Sequence, residues 1–369
     1  MRRVLVNIIS EQTIPNYLFT KEMIQPGDEL LFISSQKFCD RIDWIENTIA
    51  YPNCKTERII FPPRGEEKWK DMEDLLYSKL SKDCQYVVNL TGGTKYMSLL
   101  VQHVFEKYTS LFYYIPFPQN VILEPSKNDF KKLDYRLTIK EYLSNYNVTF
   151  SEKQVTKDEA YCDYFYERFI NGSLSFDIID KLRAYRNKKK IAISSIETCI
   201  STDKQPRIEG LADFIETINF SLKDLDFLNR SEIEFLTGGW FEEYIYYKIK
   251  RFINPQDIKL GVLIKRTENT NQNDLDIVFT FGNKLFVVEC KTGILGTKMF
   301  NETVYKATAI KEAVLGLSAN TFIVSLATND ETLKITAKNM GITYICRDDI
   351  EEQSRFEDFM NQIRIKAKD

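Results

Sequence analysis

Histidine is nearly absent from this chain, which has one, His103, in 369 residues. His103 lies in the segment MSLLVQHVFEKY, whose apolar spacing predicts a helix and places the imidazole near a hydrophobic core. Mechanisms that depend on a histidine base, such as a Ser-His-Asp triad or a histidine-based ribonuclease site, therefore have little support from the sequence.

Excess basic charge, long apolar runs and paired cysteines are missing as well. The net charge is −3, so nucleic acid would have to be bound by local basic patches or through a metal ion. No apolar run approaches a membrane span in length, and VLVNII near the amino terminus is too short for a secretory signal. The seven cysteines form no CxxC pair, which argues against disulfides and zinc and favours a cytoplasmic protein without a membrane partner.

Two regions of the chain have regular patterns, as expected for a length that predicts two or three domains. In residues 1–140, the runs VLVNII, ELLFISS, RIIF and YVVNL alternate with helical segments. This order predicts an α/β domain with a mostly parallel, doubly wound, Rossmann-like sheet, whose last two strands pair as a hairpin across Pro118-Gln119-Asn120. Residues 236–369 predict a second α/β domain, built around a hairpin.

Residues 141–235 predict a connecting, largely helical region. It contains the basic run LRAYRNKKKIAI around Lys188. Such a run either lines a nucleic-acid groove or forms a solvated helix face, and the sequence leaves both interpretations open.

A polar loop follows the fourth strand-like run in YVVNLTGGTKYMSLL. Gly92 and Gly93 let backbone N–H groups approach a ligand, while Thr91, Thr94 and Lys95 add donors at the start of a helix. The loop suits a phosphate group or a nucleotide edge, with a structural tight turn as the alternative. It matches neither GxGxxG nor GxxxxGK[ST], so dinucleotide cofactors and ATP hydrolysis are not indicated.

Two other predicted strands also end in polar residues. Since the carboxyl ends of parallel strands form the ligand crevice of an open sheet, we expect these side chains to lie beside the glycine loop. They are Ser10, Gln12, Thr13, Ser34, Ser35 and Gln36.

The strongest chemical signal is the segment NDLDIVFTFGNKLFVVECKTG, which contains Asp276, Glu289 and Lys291. If Gly282-Asn283 forms a two-residue hairpin turn, Asp276 lies directly opposite Glu289. Their Cβ atoms would then be roughly 5 Å apart, close enough for the carboxylates to share one divalent cation. Strand alternation places Lys291 on the same face as Glu289.

The same register predicts that Asp274 lies opposite Lys291. Carboxylates this close repel one another unless a cation compensates. A hard divalent cation bound by Asp276, Glu289 and the backbone carbonyl of Cys290 would do so, and would activate a water for attack on a phosphate ester. Lys291 would orient that water or stabilise the developing charge, while the Cys290 thiol faces the core. A surface hairpin with cross-strand ion pairs is the alternative.

The helical segment GGWFEEYIYYKIKRFI offers a further acidic ligand. Its apolar stripe at about 100° per residue consists of Phe241, Tyr244, Ile245, Ile249 and Phe252. Glu242 lies at the edge of this stripe and is predicted to reach the metal site. Glu243 faces away and is predicted to be solvated.

Two family resemblances follow from these motifs. The segments SEQTIPN at 10–16 and NLTGGTK at 89–95 resemble the CARF family, the sensor domains of CRISPR-associated proteins. That resemblance implies a homodimer that binds a cyclic oligoadenylate such as cyclic tetra-adenylate across its two-fold axis, and it adds Asn16 to the binding residues.

The acidic residues and Lys291 resemble the PD-(D/E)xK, restriction-endonuclease-like superfamily. Glu242 takes the first-helix position, Asp276 the motif aspartate, and Glu289 with Lys291 the ExK pair, although Leu275 replaces the motif's proline. The resemblance implies a nuclease that requires Mn²⁺ or Mg²⁺.

Both halves, in this order, resemble the CARF plus restriction-endonuclease-like effector nucleases of type III CRISPR antiviral systems. This resemblance implies an endonuclease activated by its ligand, which cuts single-stranded DNA or RNA with little sequence preference. Two other functions remain open: a ligand-binding regulator whose nuclease fold only docks a partner, and a metabolic enzyme whose glycine loop binds a monomeric nucleotide.

Overall fold

The chain folds around two β-sheets in this computed structural model. The structure describes residues 1–49, 54–63, 68–174, 176–186, 190–193, 208–266, 272–292, 319–328 and 331–368. Lys188, at the centre of the predicted basic run, lies outside the described residues. Within them, no helix is both long and apolar enough to cross a membrane.

The first sheet has five parallel strands in the order β3-β2-β1-β4-β5. Its strands are β1 (Arg2–Ile8), β2 (Glu29–Ser35), β3 (Thr56–Phe61), β4 (Cys84–Asn89) and β5 (Thr109–Tyr113). The helices that connect them are α1 (Ile14–Met23), α2 (Asp40–Ile49), α3 (Trp69–Lys79) and α4 (Lys95–Phe105). Alternate apolar residues of β1 point to opposite faces, so α1 and α2 cover one face while α3 and α4 cover the other. The predicted doubly wound, Rossmann-like sheet is confirmed.

A small antiparallel pair follows the first sheet, where the sequence predicted a different hairpin. The strand β6 (Val121–Glu124) pairs with β7 (Asp129–Lys132). The predicted pairing across Pro118-Gln119-Asn120 amounts to one bridge, between Tyr114 and Leu123. The segment after Ile115 contains Pro116 and Pro118, which lack a backbone N–H and cannot donate to an antiparallel ladder.

The second sheet has six strands in the order β15-β14-β13-β12-β11-β8. Its strands are β8 (Val148–Lys153), β11 (Asp257–Arg266), β12 (Gln272–Phe281), β13 (Lys284–Lys291), β14 (Ala319–Ser325) and β15 (Thr343–Ile345). The strand β8 lies in the predicted connecting region, yet it pairs antiparallel with β11. The connecting region is therefore part of the second sheet and not only a helical linker.

The remaining elements are mostly helices. They are α5 (Ile139–Ser144), α6 (Glu159–Ile170), α7 (Phe176–Arg183), α8 (Leu211–Thr217), α9 (Arg230–Glu234), α10 (Trp240–Ile253), α11 (Glu331–Asn339), α12 (Arg347–Glu351) and α13 (Gln353–Lys368), with the short strands β9 (Lys190–Ala192) and β10 (Phe227–Asn229). The helices α6, α10 and α13 pack on one face of the second sheet. The predicted apolar stripe of α10 is confirmed, since its residues lie in or against this core.

The other face of the second sheet packs against the first domain. Val262, Leu275, Val278 and Val287 share one buried cluster with residues of α1, α2 and α5. The two sheets are thus joined by a continuous hydrophobic core, which opposes independent motion of the domains.

The predicted two-residue hairpin turn is confirmed. Gly282 and Asn283 both have positive φ, at 58° and 60°, and Phe281 pairs with Lys284. This is the backbone combination that a tight antiparallel hairpin favours.

The tip of this hairpin contacts the first domain through Asn283, which has 0% exposure. Its amide donates to Asn120 Oδ1 at 2.8 Å and to the Tyr135 carbonyl at 3.0 Å, while its oxygen accepts from Leu137 N at 2.9 Å. Asn120 in turn donates to the Gly282 carbonyl at 2.9 Å. The turn between β12 and β13 is therefore fixed to the segment that follows β5.

We expect Asn283→Ala to lower the free energy of unfolding by about 1–3 kcal/mol more than Asn128→Ala does, because it leaves buried polar partners unsatisfied. Asn128 is a matched control, since it has a similar positive φ of 52° and is exposed to solvent. Urea denaturation of both variants measures the difference. Equal losses would mean that the hydrogen bonds of the Asn283 side chain add no stability.

Candidate ligand pocket and candidate active site

A cavity of about 480 Å³ lies at the carboxyl ends of β1, β2, β4 and β5. This is the crevice that an open parallel sheet offers to ligands. Eight of the twelve residues predicted to bind a ligand line it: Ser10, Gln12, Asn16, Ser35, Thr91, Gly92, Gly93 and Thr94.

The glycine loop, residues 91–94, packs closely on β1 in addition to lining the cavity. A Cβ atom on Gly92 would lie 1.7 Å from the Ile8 carbonyl oxygen, and Gly93 has a φ of +75°. Thr91 Oγ1 accepts from Ile115 N at 2.7 Å, and Thr94 caps α4 by accepting from Met97 N at 3.2 Å. The glycines thus allow close packing on β1, which agrees with the structural tight turn that the sequence left open beside ligand binding.

A buried asparagine network supports the floor of the cavity. Asn7 Oδ1 accepts from Asn16 Nδ2 at 3.3 Å and from Asn89 Nδ2 at 3.2 Å, and all three residues have 0% exposure. Asn89 Oδ1 accepts from Thr91 N at 3.1 Å. Asn16 Oδ1 is buried and has no hydrogen-bond partner among the described residues, so it offers an acceptor beside the cavity.

Four predicted ligand residues do not line the cavity. Thr13 is fully buried and its hydroxyl donates to the Asn145 carbonyl at 2.6 Å. Ser34 is buried and donates to its neighbour's carbonyl at 2.9 Å, because strand alternation points it away from the crevice. Gln36 and Lys95 are exposed outside the cavity lining.

Several side chains of the cavity wall were not predicted from the sequence. Lys37 and Phe38 follow β2, while Tyr114, Ile115 and Phe117 follow β5. Lys37 adds a positive charge and Tyr114 an exposed ring. Their position directly after apolar strands was the available signal, because it is the same rule that identified Ser35.

The candidate active site lies at the end of the β12–β13 hairpin that is opposite the turn. Lys291 Nζ lies 3.2 Å from Glu289 Oε2 and 3.7 Å from Asp276 Oδ2. The Glu289 side chain is only 2% exposed. Burial opposes the charged ammonium, but Asp276 and Glu289 outweigh it and raise the pKa of Lys291 above its ordinary value.

The two strands separate at this point, which corrects part of the predicted register. The ladder between β12 and β13 ends at Ile277 and Val288, and the Asp276 carboxylate accepts from Cys290 N at 2.6 Å. The predicted pairings of Asp276 with Glu289 and of Asp274 with Lys291 both lie beyond the end of this ladder. The Asp274 carboxylate pairs instead with Lys153 at 3.4 Å.

Glu242, in the first turn of α10, extends toward the same carboxylates. Burial and then the charge of Asp276 raise the pKa of Glu242 to about 8, while Lys153 and Lys291 act in the opposite direction. We call Glu242, Asp276 and Glu289 the carboxylate cluster. The structure brings all four residues predicted to be catalytic to one place.

The predictions for Glu243 and for His103, which lies in the first domain, are both wrong. Glu243 is buried, and its carboxylate accepts from Thr156 N and Lys157 N, both at 2.9 Å. It fixes the segment between β8 and α6 and is not a solvated charge. His103 is exposed on α4, where its ring lies against Trp69, so it does not lie near the core.

The chemistry of the carboxylate cluster fits a hard divalent cation. Its donors are carboxylate oxygens, which such a cation prefers. Burial and then the charge of Asp276 raise the pKa of Glu242, and a bound cation would offset both effects. Among the described residues, no three His, Cys, Asp or Glu side chains already form a metal-binding group. The Lys291 ammonium lies beside Asp276 and Glu289, so a metal ion would bind only after these side chains rearranged. The Cys290 thiol is buried in the core, as predicted.

Comparison with protein families assigns both halves of the chain. Residues 4–142 match the family model of the Card1 CARF domain, and residues 229–363 match the model of the Card1-like endonuclease domain. No curated protein matches the chain in sequence.

Solved structures share the fold over the whole chain. Protein VC1899 from Vibrio cholerae has a TM-score of 0.75 at 16% identity, with 99% of this chain and 98% of that chain covered. Can2 from Sulfobacillus thermosulfidooxidans, in complex with cyclic tetra-adenylate, has a TM-score of 0.73 at 19% identity, with 99% of both chains covered.

A type III CRISPR defence DNA nuclease activated by cyclic oligoadenylate has a TM-score of 0.56 at 15% identity, over 88% of this chain and 45% of that chain. At these identities the structural likeness shows the fold, while the two family models show the family of each domain. The chain consists of a domain of the Card1 CARF family followed by a domain of the Card1-like endonuclease family.

Proposed function

We propose that this protein is a metal-dependent endonuclease of the cytoplasm that is activated by a cyclic oligoadenylate and cuts single-stranded DNA or RNA in type III CRISPR defence. The observation that carries the proposal is the carboxylate cluster with Lys291, located in a domain of an endonuclease family. The CARF domain adds a ligand cavity that shares a hydrophobic core with the endonuclease sheet.

The activator we propose is cyclic tetra-adenylate. The cavity of about 480 Å³ falls in the range of roughly 300–1,000 Å³ typical of pockets for drug-sized ligands, whereas a ring of four nucleotides is larger than one such ligand. Lys37, Thr91 and Thr94 supply donors for phosphate oxygens, and Asn16 Oδ1 supplies an acceptor. The structure of Can2, which has the same fold, contains this ligand.

A homodimer would place two such cavities around one ring. The ring and a two-fold dimer share a symmetry axis, so each protomer would contact equivalent halves of the ligand. The helix α4 begins at the glycine loop and exposes Tyr96 and Leu99, which are 40% and 59% exposed. Apolar side chains exposed beside the cavity are suited to contact with a second copy.

The carboxylates of Asp276, Glu289 and Glu242, together with the backbone carbonyl of Cys290, would hold Mn²⁺ or Mg²⁺. When bound, such a cation supplies Lewis-acid polarisation of a phosphate and activation of water. Lys291 would hold the attacking water or offset charge on the phosphate oxygens. In the metal-free protein Asp276 and Glu289 raise the pKa of Lys291, and its ammonium is a charge and a hydrogen-bond donor.

Ligand binding would reach the carboxylate cluster through the β12–β13 hairpin. Tyr114 and Phe117 line the cavity, and Asn120, a few residues later, is hydrogen-bonded to the hairpin turn at Asn283. The other end of the hairpin carries Asp276 and Glu289. A shift of the cavity wall on ligand binding would therefore move the hairpin, provided that the ligand binds the active arrangement more tightly.

The first test is cleavage of labelled single-stranded DNA and RNA with Mn²⁺, with and without cyclic tetra-adenylate. We expect ligand-dependent cutting that Glu289→Gln lowers by at least a hundredfold, because one carboxylate of the cluster loses its charge. Glu152→Gln, which alters an exposed acid on β8 paired with Lys259, should cut like the wild type. If the ligand binds but no substrate is cut under any metal condition, the regulator alternative is favoured.

We expect Lys37→Ala to weaken binding of cyclic tetra-adenylate by about tenfold or more, since a hydrogen bond between charged groups contributes about 1.5–3 kcal/mol. Lys55→Ala is the control, because Lys55 is also exposed but pairs with Glu57 away from the cavity. Isothermal titration calorimetry measures both affinities. Equal affinities would exclude a phosphate contact at Lys37, and tight binding of a mononucleotide instead would favour the metabolic alternative.

Metal-free stability gives a test that does not depend on activity. The folded-state pKa of Glu242, about 8, lies above the ordinary value of 4.5, so the folded state loses stability as the pH rises between these values. Asp276, Asp274, Lys153 and Lys291 are the charged groups that act on it. We therefore expect Glu242→Gln to raise the melting temperature at about pH 9 and to leave it nearly unchanged at about pH 5.

With saturating Mn²⁺ at about pH 9, we expect the wild type to melt at a higher temperature than Glu242→Gln. The reason is that the Glu242 carboxylate binds a cation and the glutamine amide does not. Differential scanning fluorimetry measures both conditions, with Glu152→Gln as the control. If the Glu242→Gln variant is less stable than the wild type at about pH 9 without metal, ionisation of Glu242 does not destabilise the folded state.

A further inference from the structure

We propose that Arg186 binds a phosphate group of the nucleic-acid substrate beside the carboxylate cluster, and that Thr237 and Gly238 form the turn that holds its guanidinium there. Arg186 belongs to the basic run for which the sequence left two interpretations open. The inference rests on the proposed nuclease function and assigns a substrate contact to that site.

Arg186 is bound by neutral oxygen atoms. Its Nε donates to Thr237 Oγ1 at 2.6 Å, and its Nη2 donates to the Thr237 carbonyl at 2.7 Å. Thr237 is fully buried in a π-helical turn, Phe235–Gly239, directly before α10. π-helical turns inside helices occur frequently at functional sites.

The glycine after Thr237 gives the guanidinium its space. A Cβ atom on Gly238 would lie 2.7 Å from Arg186 Nη2. The observed position of the Arg186 side chain therefore requires a glycine at 238, although the two residues are far apart in the sequence. This contact accounts for a glycine in the segment LTGGW, which the sequence analysis did not explain.

The guanidinium lies close to the candidate active site. Burial and the charge of Arg183 lower the pKa of Arg186, whereas Glu242, Glu234 and Asp276 act to raise it. Thr292, which directly follows Lys291, donates to the Thr237 carbonyl at 3.1 Å, and Arg183 Nη2 donates to Thr292 Oγ1 at 3.0 Å. The first turn of α10, the end of β13 and the residues around α7 thus meet at this point.

The other cations near the cluster are already paired with carboxylates. Lys291 pairs with Asp276 and Glu289, Lys153 with Asp274, and Arg183 with Asp180. Arg186 makes no ion pair within the part of the chain that the structure describes, and its Nη1 has no hydrogen-bond partner there. Arginine remains charged even when its pKa is lowered, and its planar donors suit phosphate oxygens. Its charge is therefore available to a phosphate group.

A substrate contact and a merely structural anchor predict different salt dependences. Each phosphate contact to a single strand releases counterions, which contributes about −0.7 to the slope of log K against log salt concentration. A structural anchor would alter stability without changing that slope.

The test measures binding of a labelled single-stranded oligonucleotide to the full chain with cyclic tetra-adenylate and Mn²⁺, in the Glu289→Gln background, from about 50 to 200 mM salt. We expect Arg186→Ala to weaken binding about tenfold or more at low salt and to reduce the slope by about 0.7. Arg186→Lys should keep most of the slope, because it keeps the charge. Arg251→Ala, an exposed arginine at the far end of α10, should bind like its parent.

Gly238→Ala provides a second variant that keeps every charge but displaces the guanidinium. We expect it to weaken oligonucleotide binding, and in the active background to raise KM more than it lowers kcat. If Arg186→Ala binds with unchanged affinity and slope while its parent binds the oligonucleotide, the inference is overturned and the nuclease proposal stands. If the Glu289→Gln parent binds no oligonucleotide and the wild type cuts none, both proposals fail.

Discussion

The structure depends on one shared hydrophobic core between its two sheets. The second sheet packs one face against its own helices and the other against α1, α2 and α5 of the CARF domain. A sheet buried on both faces must be apolar on both, which explains why β13 is buried at nearly every position. The consequence is that its central hairpin has no freedom to move independently, because both of its faces and its turn are in contact with other elements.

The candidate active site occupies the place where this packing ends. Beyond Ile277 the strands β12 and β13 separate, and the Asp276 carboxylate accepts the Cys290 N–H that the ladder would otherwise pair. The strand β11 lies on the other side of β12. Its pairing with β8 shifts by one residue at Gly261, whose φ is +55°. A Cβ atom on Gly261 would lie 2.5 Å from Lys153, so the bulge gives room for the side chain that pairs with Asp274. The local irregularities thus concentrate polar groups at the edge of an apolar sheet.

Sequence reasoning succeeded where a local rule fixed the geometry. The Gly282-Asn283 turn determines the hairpin register, and the apolar period of α10 directs Glu242 toward the hairpin.

Sequence reasoning failed where distant segments decide the environment of a side chain. Glu243 is buried because residues 156–157 pack over it, and Thr13 is bound by a residue more than one hundred positions away. Asp274 was misplaced because antiparallel pairing was extended beyond the point at which the strands separate. Arg186 was recognised only as part of a charge run, since its contact with Thr237 joins elements whose proximity no periodic pattern encodes.

The electrostatics of the site also bear on the docking alternative. A module that only docks a partner needs a stable surface, and a buried carboxylate beside other carboxylates lowers stability whenever it ionises. Glu242 has this environment, with its pKa raised to about 8 by burial and by Asp276. A glutamine there would remove the repulsion and keep nearly the same shape. A divalent cation would offset this cost, which is the role that the proposed nuclease function gives to Glu242.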